Sequence, residues 1–214
     1  MASKKQQLRD RLRAAHVYAI TPEAEPAEVE RVVHAWLRGG VGAIQLRHKR
    51  LPRGRLLELA CALARACARA TVLFIVNDHL DVALLSGADG VHLGPDDLTI
   101  AAARRVAGPD VIVGASASTP QTAREAERDG ADYLGSGPAY PTPLKTAKRV
   151  IGPAGVAAVS EAVAIPVFAI GGIERWRLPE LRAAGIQRVC AIRALVQAPD
   201  PEAEARAWLG DLCR

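Results

Sequence analysis

The chain has 214 residues, half of them hydrophobic, which suits one globular domain of the larger kind or two small ones. Its formal net charge is +5, but arginines are spread along the chain and only 4% of residues are aromatic, which argues against nucleic-acid binding by base stacking. No Cys-x-x-Cys spacing, signal peptide or apolar run of about 18 residues occurs, which argues against a disulfide scaffold, secretion and membrane spanning. We expect a cytoplasmic protein with reduced thiols and a small anionic substrate.

The first fifteen residues, MASKKQQLRDRLRAA, are basic and helix-forming. They predict a solvated helix that leads into the main domain, while a targeting segment or a nucleic-acid-binding arm is the alternative interpretation. We assign residues 1–15 to an N-terminal helical extension and residues 16–214 to one domain, because no linker divides the remainder.

From residue 17 onward, short β-branched runs alternate with segments whose apolar residues recur at helical spacing. The predicted strands cover residues 17–20, 43–46, 72–76, 90–93, 111–113, 133–134, 167–170 and 188–192. The predicted helices cover residues 28–38, 55–70, 80–85, 99–106, 120–128, 153–163, 178–184 and 201–212, with a loop over 135–152. Eight such units favour a closed (β/α)₈ TIM barrel over an open α/β sheet. No Gly-x-Gly-x-x-Gly follows the first strand, which argues against a dinucleotide-binding fold.

Two aspartates follow neighbouring predicted strands, Asp78 after the third and Asp97 after the fourth. Parallel strands joined by a crossover helix end on the same edge of a sheet and lie about 4.8 Å apart. Carboxylates placed in this way suit a hard cation such as Mg²⁺, which also takes water and phosphate oxygens as ligands. The alternative is that Asp78 caps a helix and Asp97 opens the next one.

Cationic side chains follow the second and sixth strands, Arg47 and Lys49 in QLRHKR and Lys145 beyond the sixth strand. Alternation along a strand directs Gln45, Arg47 and Lys49 to the same side. Cations and acids at one barrel mouth indicate a diphosphate bound through Mg²⁺. The alternative for the basic run is a solvated turn.

A second anion site is predicted after the seventh and eighth strands, where Gly171-Gly172 and Ile192-Arg193 occur. These loops form the usual phosphate site of a TIM barrel, and glycine lets backbone N–H groups approach the phosphate. A Gly-Gly pair also commonly marks only the end of a strand.

The chain resembles the thiamine-phosphate synthase family from about residue 17 onward. The segments that carry the resemblance, in the family's order, are QLRHK, IVNDH, GADGVHLGPDDL, GASAST, GADYLGSGPAYPT with Lys145, and AIGGI. The resemblance implies a (β/α)₈ barrel that joins a hydroxymethylpyrimidine diphosphate to a thiazole phosphate, or its carboxylate form. The implied products are thiamine monophosphate and pyrophosphate, formed through a pyrimidine carbocation after pyrophosphate departs.

The same resemblance implies roles for individual residues. Asp78 and Asp97 would hold the Mg²⁺ cofactor. The residues that would contact the pyrimidine diphosphate are Arg47, Lys49, Asn77, Ser116 and Lys145, with Gln45 in the pyrimidine-binding stretch. The residues that would hold the thiazole phosphate are Thr142, Gly171, Gly172, Ile192 and Arg193.

Four departures from the family pattern concern the site. The family's Thr-x-Thr-Lys becomes Thr142-Pro143-Leu144-Lys145, and Arg193 replaces a serine of the phosphate loop. Pro95 stands where glutamine is common, and Ser118 where histidine is common. The first two changes fall on the thiazole side.

Two other functions remain as alternatives. A TenI-like thiazole tautomerase would share the barrel but use a histidine after the fifth strand, where this chain has Ser118. A non-catalytic barrel that binds a thiamine precursor and regulates a partner would not need Asp78, Asp97 and Lys145. The expected partners are small-molecule substrates, with neither nucleic acid nor membrane, and a homodimer is left open.

Overall fold

The computed structural model describes residues 3–142 and 149–213 of the chain. Eight parallel strands close into a barrel, each paired with its neighbours in sequence and β1 paired with β8. The strands are β1 (Val17–Ile20), β2 (Ala43–Leu46), β3 (Leu73–Asn77), β4 (Gly90–Leu93), β5 (Ile112–Ala117), β6 (Tyr133–Ser136), β7 (Val167–Ile170) and β8 (Val189–Ala191). The predicted (β/α)₈ barrel is confirmed.

Helices surround the barrel, and one further helix precedes it. They are α1 (Lys4–Ala14), α2 (Pro26–Gly39), α3 (Arg53–Arg69), α4 (Leu80–Ser86), α5 (Ile100–Ala107), α6 (Pro120–Arg128), α7 (Gly152–Glu161), α8 (Leu178–Ala183), α9 (Arg193–Val196) and α10 (Pro201–Leu212). A 3₁₀ turn over Arg175–Arg177 leads into α8. Within the two described ranges, none of these helices has the length and apolar character needed to cross a membrane.

Side chains alternate along each strand between the barrel interior and the helix layer. On β3, Ile75 belongs to the interior cluster, whereas Phe74 packs with residues of the surrounding helices. The rings of Tyr18, Tyr133 and Phe168 occupy the interior, with centroids 5.3 to 5.9 Å apart. The barrel is therefore a packed core beneath its mouth, as expected of a small eight-stranded barrel.

Strands β5 and β6 are longer than the sequence predicts. The prediction ends β5 at residue 113, but the strand continues to Ala117 and pairs there with Ser136 of β6. The predicted loop over 135–152 is therefore wrong at its start, since Gly135 and Ser136 complete β6. Small residues have low strand propensity, and here the barrel register overrides that preference.

Gly114 lies within this unpredicted part of β5 for a packing reason. A Cβ atom at position 114 would overlap the ring of Tyr133 on the neighbouring strand. Its lack of a side chain is what allows a large aromatic residue to lie inside a narrow barrel.

Helix α1 lies across the amino-terminal end of the barrel. Its side chains Leu8 and Leu12 are buried and join the interior cluster, together with Ala43 and Leu73 at the beginnings of β2 and β3. The apolar face of α1 therefore covers the end of the barrel opposite the mouth, and two of its basic residues, Lys5 and Arg9, reach inward to a buried carboxylate.

Asp132, immediately before β6, connects α1 to the barrel. Its side chain is fully buried, and its carboxylate pairs with Arg9 at 2.8 Å and Lys5 at 3.4 Å of α1, and with Arg104 of α5. It also accepts the backbone N–H of Val113 at 3.0 Å. Burial alone would raise the pKa of Asp132, but the Val113 hydrogen bond and the neighbouring cations together lower it below 3.8.

We predict that Asp132→Asn lowers the free energy of unfolding by about 2 kcal/mol, because the fully buried carboxylate loses its charge-assisted hydrogen bonds to three partly exposed cations. The lowered pKa means that Asp132 stabilises the fold above pH 3.8 and that this contribution is lost as pH falls below that value. Urea unfolding at pH 7 and at acidic pH would measure the free energy of unfolding of both proteins. The decrease in this free energy on acidification should be smaller in Asp132→Asn than in the unaltered protein.

The matched control is Asp129→Asn, since Asp129 pairs with Arg128 at 3.2 Å on the exposed surface of the same connection. This change should cost less than about 1 kcal/mol. Equal stability of the two variants would contradict the role assigned to Asp132.

Candidate active site

A cavity of about 320 Å³, which we call the large cavity, opens at the carboxyl ends of the strands. Most of the predicted site residues line it, namely Gln45, Arg47, Lys49, Asn77, Asp78, Asp97, Ser116 and Ile192. The prediction that Gln45, Arg47 and Lys49 share one side is confirmed. The closed sheet thus collects acids, cations and amides from β2 through β5 and from the end of β8.

Asp78 and Asp97 meet in this cavity. Burial raises the pKa of Asp78, and the hydrogen-bonding and charge interactions with Asp97 raise it further. Lys49 Nζ lies 3.6 Å from Asp78 Oδ2 and opposes this effect only in part, and Asp97 Oδ2 accepts the N–H of Gly94 at 2.7 Å. Two carboxyl groups held this close repel each other when both are ionised.

The backbone aims Asp78 toward the cavity. Asp78 has a left-handed conformation, with φ of 63°, and its N–H donates to the carbonyl of His92 on β4 at 2.8 Å. The alternative reading of the two aspartates as helix-starting residues is wrong, since His79 is the N-cap of α4 and Thr99 that of α5. Neither acidic side chain is occupied with capping a helix.

These residues suit a divalent cation. Mg²⁺ binds proteins through one or two carboxylates and fills its remaining positions with water and phosphate oxygens. Within residues 3–142 and 149–213, no three His, Cys, Asp or Glu side chains converge on a metal site, so the Asp78–Asp97 pair offers two carboxylates and no more. A cation between them would offset both the burial and the interactions with Asp97 that raise the pKa of Asp78.

The basic loop after β2 has two sides. Arg47 and Lys49 line the cavity, and Arg47 also pairs with Glu23 of the β1–α2 loop at 3.0 Å. His48 faces away from the cavity, with Nε2 at 3.1 Å from the carbonyl of Ala24. Ion pairs and hydrogen bonds thus hold Arg47 and His48 against the β1–α2 loop, whereas Lys49 and Arg50 are solvated, with 56% and 74% of their side chains exposed.

A second, smaller cavity of about 60 Å³ adjoins the first, and the two share Ile170, Cys190 and Ile192 as lining residues. The remaining predicted phosphate residues line this small cavity, namely Thr142, Gly171, Gly172 and Arg193. Glu174 also lines it. The structure thus brings together the residues predicted after the seventh and eighth strands.

The two glycines of the small cavity have a packing role. Gly171 and Gly172 have φ values of 101° and 61°, which favour glycine. A Cβ on Gly172 would collide with the backbone of Pro141, and the Gly171 carbonyl accepts the N–H of Tyr140 at 3.0 Å. Close contact with the segment after β6 therefore requires glycine here.

Lys145, predicted to contact the diphosphate, lies outside the described residues, as do Pro143 and Leu144 of the altered family motif.

A chain of hydrogen bonds runs beneath the large cavity. Gln45 Nε2 donates to the Tyr18 hydroxyl at 2.9 Å, and the hydroxyls of Tyr18 and Tyr133 lie 2.8 Å apart. The Tyr133 hydroxyl lies 3.1 Å from Nδ1 of His92, and His92 Nε2 lies 3.1 Å from Ser116 Oγ. This relay joins five strands and ends at two predicted site residues, Gln45 and Ser116.

Tyr18, His92 and Tyr133 also line the large cavity. None of them is predicted as a site residue, because they lie within strands interpreted as apolar. The available signal was the position of His92, a polar residue two positions after Gly90 in β4. Alternation places it on the side that faces the barrel interior. No local pattern indicates that Tyr18 and Tyr133 meet, because they are 115 positions apart.

Known proteins resemble this chain over most of its length. A sequence profile described as thiamine monophosphate synthase matches residues 17–195. The chain is 47% identical over 199 residues to the thiamine biosynthesis bifunctional protein ThiM/ThiE of Symbiobacterium thermophilum, covering 92% of this chain and 41% of that protein. It is 44% identical over 201 residues to a thiamine-phosphate synthase of Gloeobacter violaceus, covering 94% of this chain and 58% of that protein. The chain therefore spans about half the length of these two curated relatives.

Two further relatives align with this chain over at least 90% of the length of both proteins. A thiamine-phosphate synthase of Haloquadratum walsbyi is 43% identical over 91% of this chain and 90% of its own length. The solved structure of a thiamine phosphate pyrophosphorylase from Pyrococcus furiosus superimposes with a TM-score of 0.85 and 37% identity, over 96% of this chain and 97% of that one. On the profile match and these identities, the chain belongs to the thiamine monophosphate synthase family.

Proposed function

We propose that this protein is a thiamine-phosphate synthase, a transferase that joins hydroxymethylpyrimidine diphosphate to a thiazole phosphate and releases pyrophosphate. The observation that carries the proposal is the pair of adjoining cavities, one lined by Asp78, Asp97, Arg47 and Lys49 and the other by the Gly171-Gly172 turn and Arg193. A reaction between two anionic substrates needs two such sites that meet. The names of the relatives agree with this reaction.

The reaction needs no nucleophilic side chain. The bond between the pyrimidine methylene carbon and the diphosphate oxygen breaks, and the diphosphate leaves with the bonding electron pair. The thiazole nitrogen then donates its lone pair to the resulting carbocation, which forms the new C–N bond and a thiazolium. Adjoining cavities would hold both partners in reach before the first bond breaks.

In this proposal Arg47 and Lys49 bind the diphosphate and stabilise the charge that grows on it as it leaves. Asn77 and Ser116 offer polar groups to the same substrate from β3 and β5. Asp78 and Asp97 would hold Mg²⁺, which supplies positive charge to the diphosphate oxygens when bound. Gln45 would face the pyrimidine ring.

Arg193 would bind the thiazole phosphate in the small cavity, in place of the serine that the family commonly has there. Across residues 3–142 and 149–213, no acidic side chain forms an ion pair with its guanidinium. Glu174 lines the same cavity and would repel an anion, and the positive charge of Arg193 would offset this repulsion.

The direct prediction is that the purified protein, with Mg²⁺ and both substrates, forms thiamine monophosphate and pyrophosphate, each measurable by chromatography. Isomerisation of the thiazole without coupling would indicate the tautomerase instead. Tight binding of a thiamine precursor without turnover would indicate the regulatory barrel.

We predict that Asp78→Asn and Asp97→Asn each lower kcat/KM by about a hundredfold or more, because each removes one carboxylate from the cation site. Asparagine suits the left-handed backbone at position 78, so the fold should persist. Initial rates across a Mg²⁺ titration, with circular dichroism as a check on folding, would measure the effect.

The matched control is Asp81→Asn, since Asp81 lies three residues beyond Asp78 and pairs with Arg53 on the exposed surface at 3.3 Å. Its Mg²⁺ titration should match that of the unaltered protein. Unchanged turnover in both cavity variants would reject the metal assignment.

We predict that Arg193→Ser raises KM for the thiazole phosphate by about tenfold and leaves KM for the pyrimidine diphosphate unchanged, because only one charge-assisted contact is lost. Steady-state kinetics with each substrate varied in turn would test this. Arg175→Ser is the control, since Arg175 pairs with Asp211 at 2.7 Å outside the small cavity. A lower KM in Arg193→Ser would show that the arginine obstructs the phosphate.

A further inference from the structure

The two tyrosine hydroxyls beneath the large cavity are both fully buried, and each has one proton to donate. The Tyr18 hydroxyl contacts Gln45 Nε2 and the hydroxyl of Tyr133. The Tyr133 hydroxyl contacts that of Tyr18 and His92 Nδ1, and the Gln45 side chain also donates toward it. Because a buried hydroxyl that does not donate loses a hydrogen bond, each proton must point along the relay.

The amide of Gln45 sets the direction. Since Gln45 Nε2 can only donate, the Tyr18 oxygen accepts from it and the Tyr18 proton points to Tyr133. The Tyr133 oxygen is then an acceptor, and its own proton points to Nδ1 of His92. That nitrogen must be unprotonated, which leaves the proton of the neutral ring on Nε2, facing Ser116 Oγ at 3.1 Å.

We propose that Tyr18 and Tyr133 are positioning residues that fix His92 as the neutral Nε2–H tautomer, so that the hydroxyl of Ser116 accepts from His92 and donates into the large cavity. The inference about the tautomer is independent of the reaction. Its catalytic consequence rests on the proposed function, in which Ser116 meets the diphosphate.

The direction decides what Ser116 can bind. With His92 donating to Oγ, the Ser116 proton is free to point at an anionic oxygen in the cavity. With the opposite direction, Ser116 would donate to His92 and present only lone pairs, which repel an anion. The orientation of the Gln45 amide therefore determines, through the relay, whether the Ser116 hydroxyl can donate a hydrogen bond into the cavity.

The surroundings keep both donors of the relay in place. Burial raises the pKa of both tyrosines above the ordinary value of 10.0, so neither phenol ionises near neutral pH. The ring of Tyr133 is held by Phe168, with centroids 5.9 Å apart, and lies where only glycine is tolerated at position 114. Both hydroxyls therefore keep a proton to donate, and the Gln45 amide alone sets the direction of the relay.

The test is ¹⁵N NMR of the histidine side chains in the full chain without substrate, with His92 assigned by the loss of its signals in His92→Gln. We expect couplings and shifts of the Nε2–H tautomer in the unaltered protein. In Tyr133→Phe, the Nδ1 resonance should shift because it loses its donor. Tyr140→Phe is the matched control, since that hydroxyl bonds Glu180 at 2.7 Å outside the relay.

Kinetics would then test the link to Ser116. Tyr133→Phe should lower kcat by about threefold to tenfold, as expected for one net hydrogen bond, and should cause no further loss in a Ser116→Ala background. An Nδ1–H tautomer in the unaltered protein, or an unshifted Nδ1 in Tyr133→Phe, would overturn the proposal whether or not the protein makes thiamine monophosphate. Additive losses in the double variant would overturn the link to Ser116.

Discussion

Because β8 pairs with β1, the sheet has no free edge, and alternate side chains from all eight strands converge on one axis. This closure brings Asp78, Asp97, Arg47 and Lys49 to one mouth although they come from three separate loops. An open sheet would spread the same residues along an edge, with neighbouring strands about 4.8 Å apart. The candidate site is thus a consequence of closure more than of any single motif.

Part of the charge at the mouth is matched within the protein. Lys49 faces Asp78 at 3.6 Å and Arg47 faces Glu23 at 3.0 Å. Unit charges at about 4 Å interact by about 4 kcal/mol at an effective dielectric constant of 20. In the proposed reaction, a diphosphate that took these cations would leave the acids without their partners, and a divalent cation at Asp78 and Asp97 would meet that need.

Much of this arrangement could be predicted from the sequence. Strand ends followed by Asp78, Asp97 and Arg47 are local signals, and the alternation of strands and helices supplies the topology that brings them together. Gly114 and the unpredicted end of β5 could not be read in this way, because the reason for a glycine there is the ring of Tyr133 on another strand.

Local sequence patterns indicate neither contacts between distant strands nor contacts between neighbouring loops. The contact between Tyr18 and Tyr133 joins positions 115 residues apart and depends on the barrel register. The partners of the basic loop after β2, Glu23 and Ala24, come from the loop after β1 and follow only from strand adjacency. Sequence identifies which side chains carry charge, whereas register decides which of them touch.

Neutral polar groups of the site lie deeper in the barrel than its cationic groups, because burying a charge costs more desolvation free energy than burying a neutral group. Neutral groups, the Tyr18 and Tyr133 hydroxyls and the Gln45 amide, lie in the buried interior, where an unpaired charge would be expensive. Charged groups such as Arg47 and Lys49, with 34% and 56% of their side chains exposed, lie at the rim. A ligand with a neutral heterocycle at one end and a diphosphate at the other matches this gradient in one orientation only, ring downward and phosphates outward. In the proposed function, this difference in burial would orient the substrate even before individual contacts form.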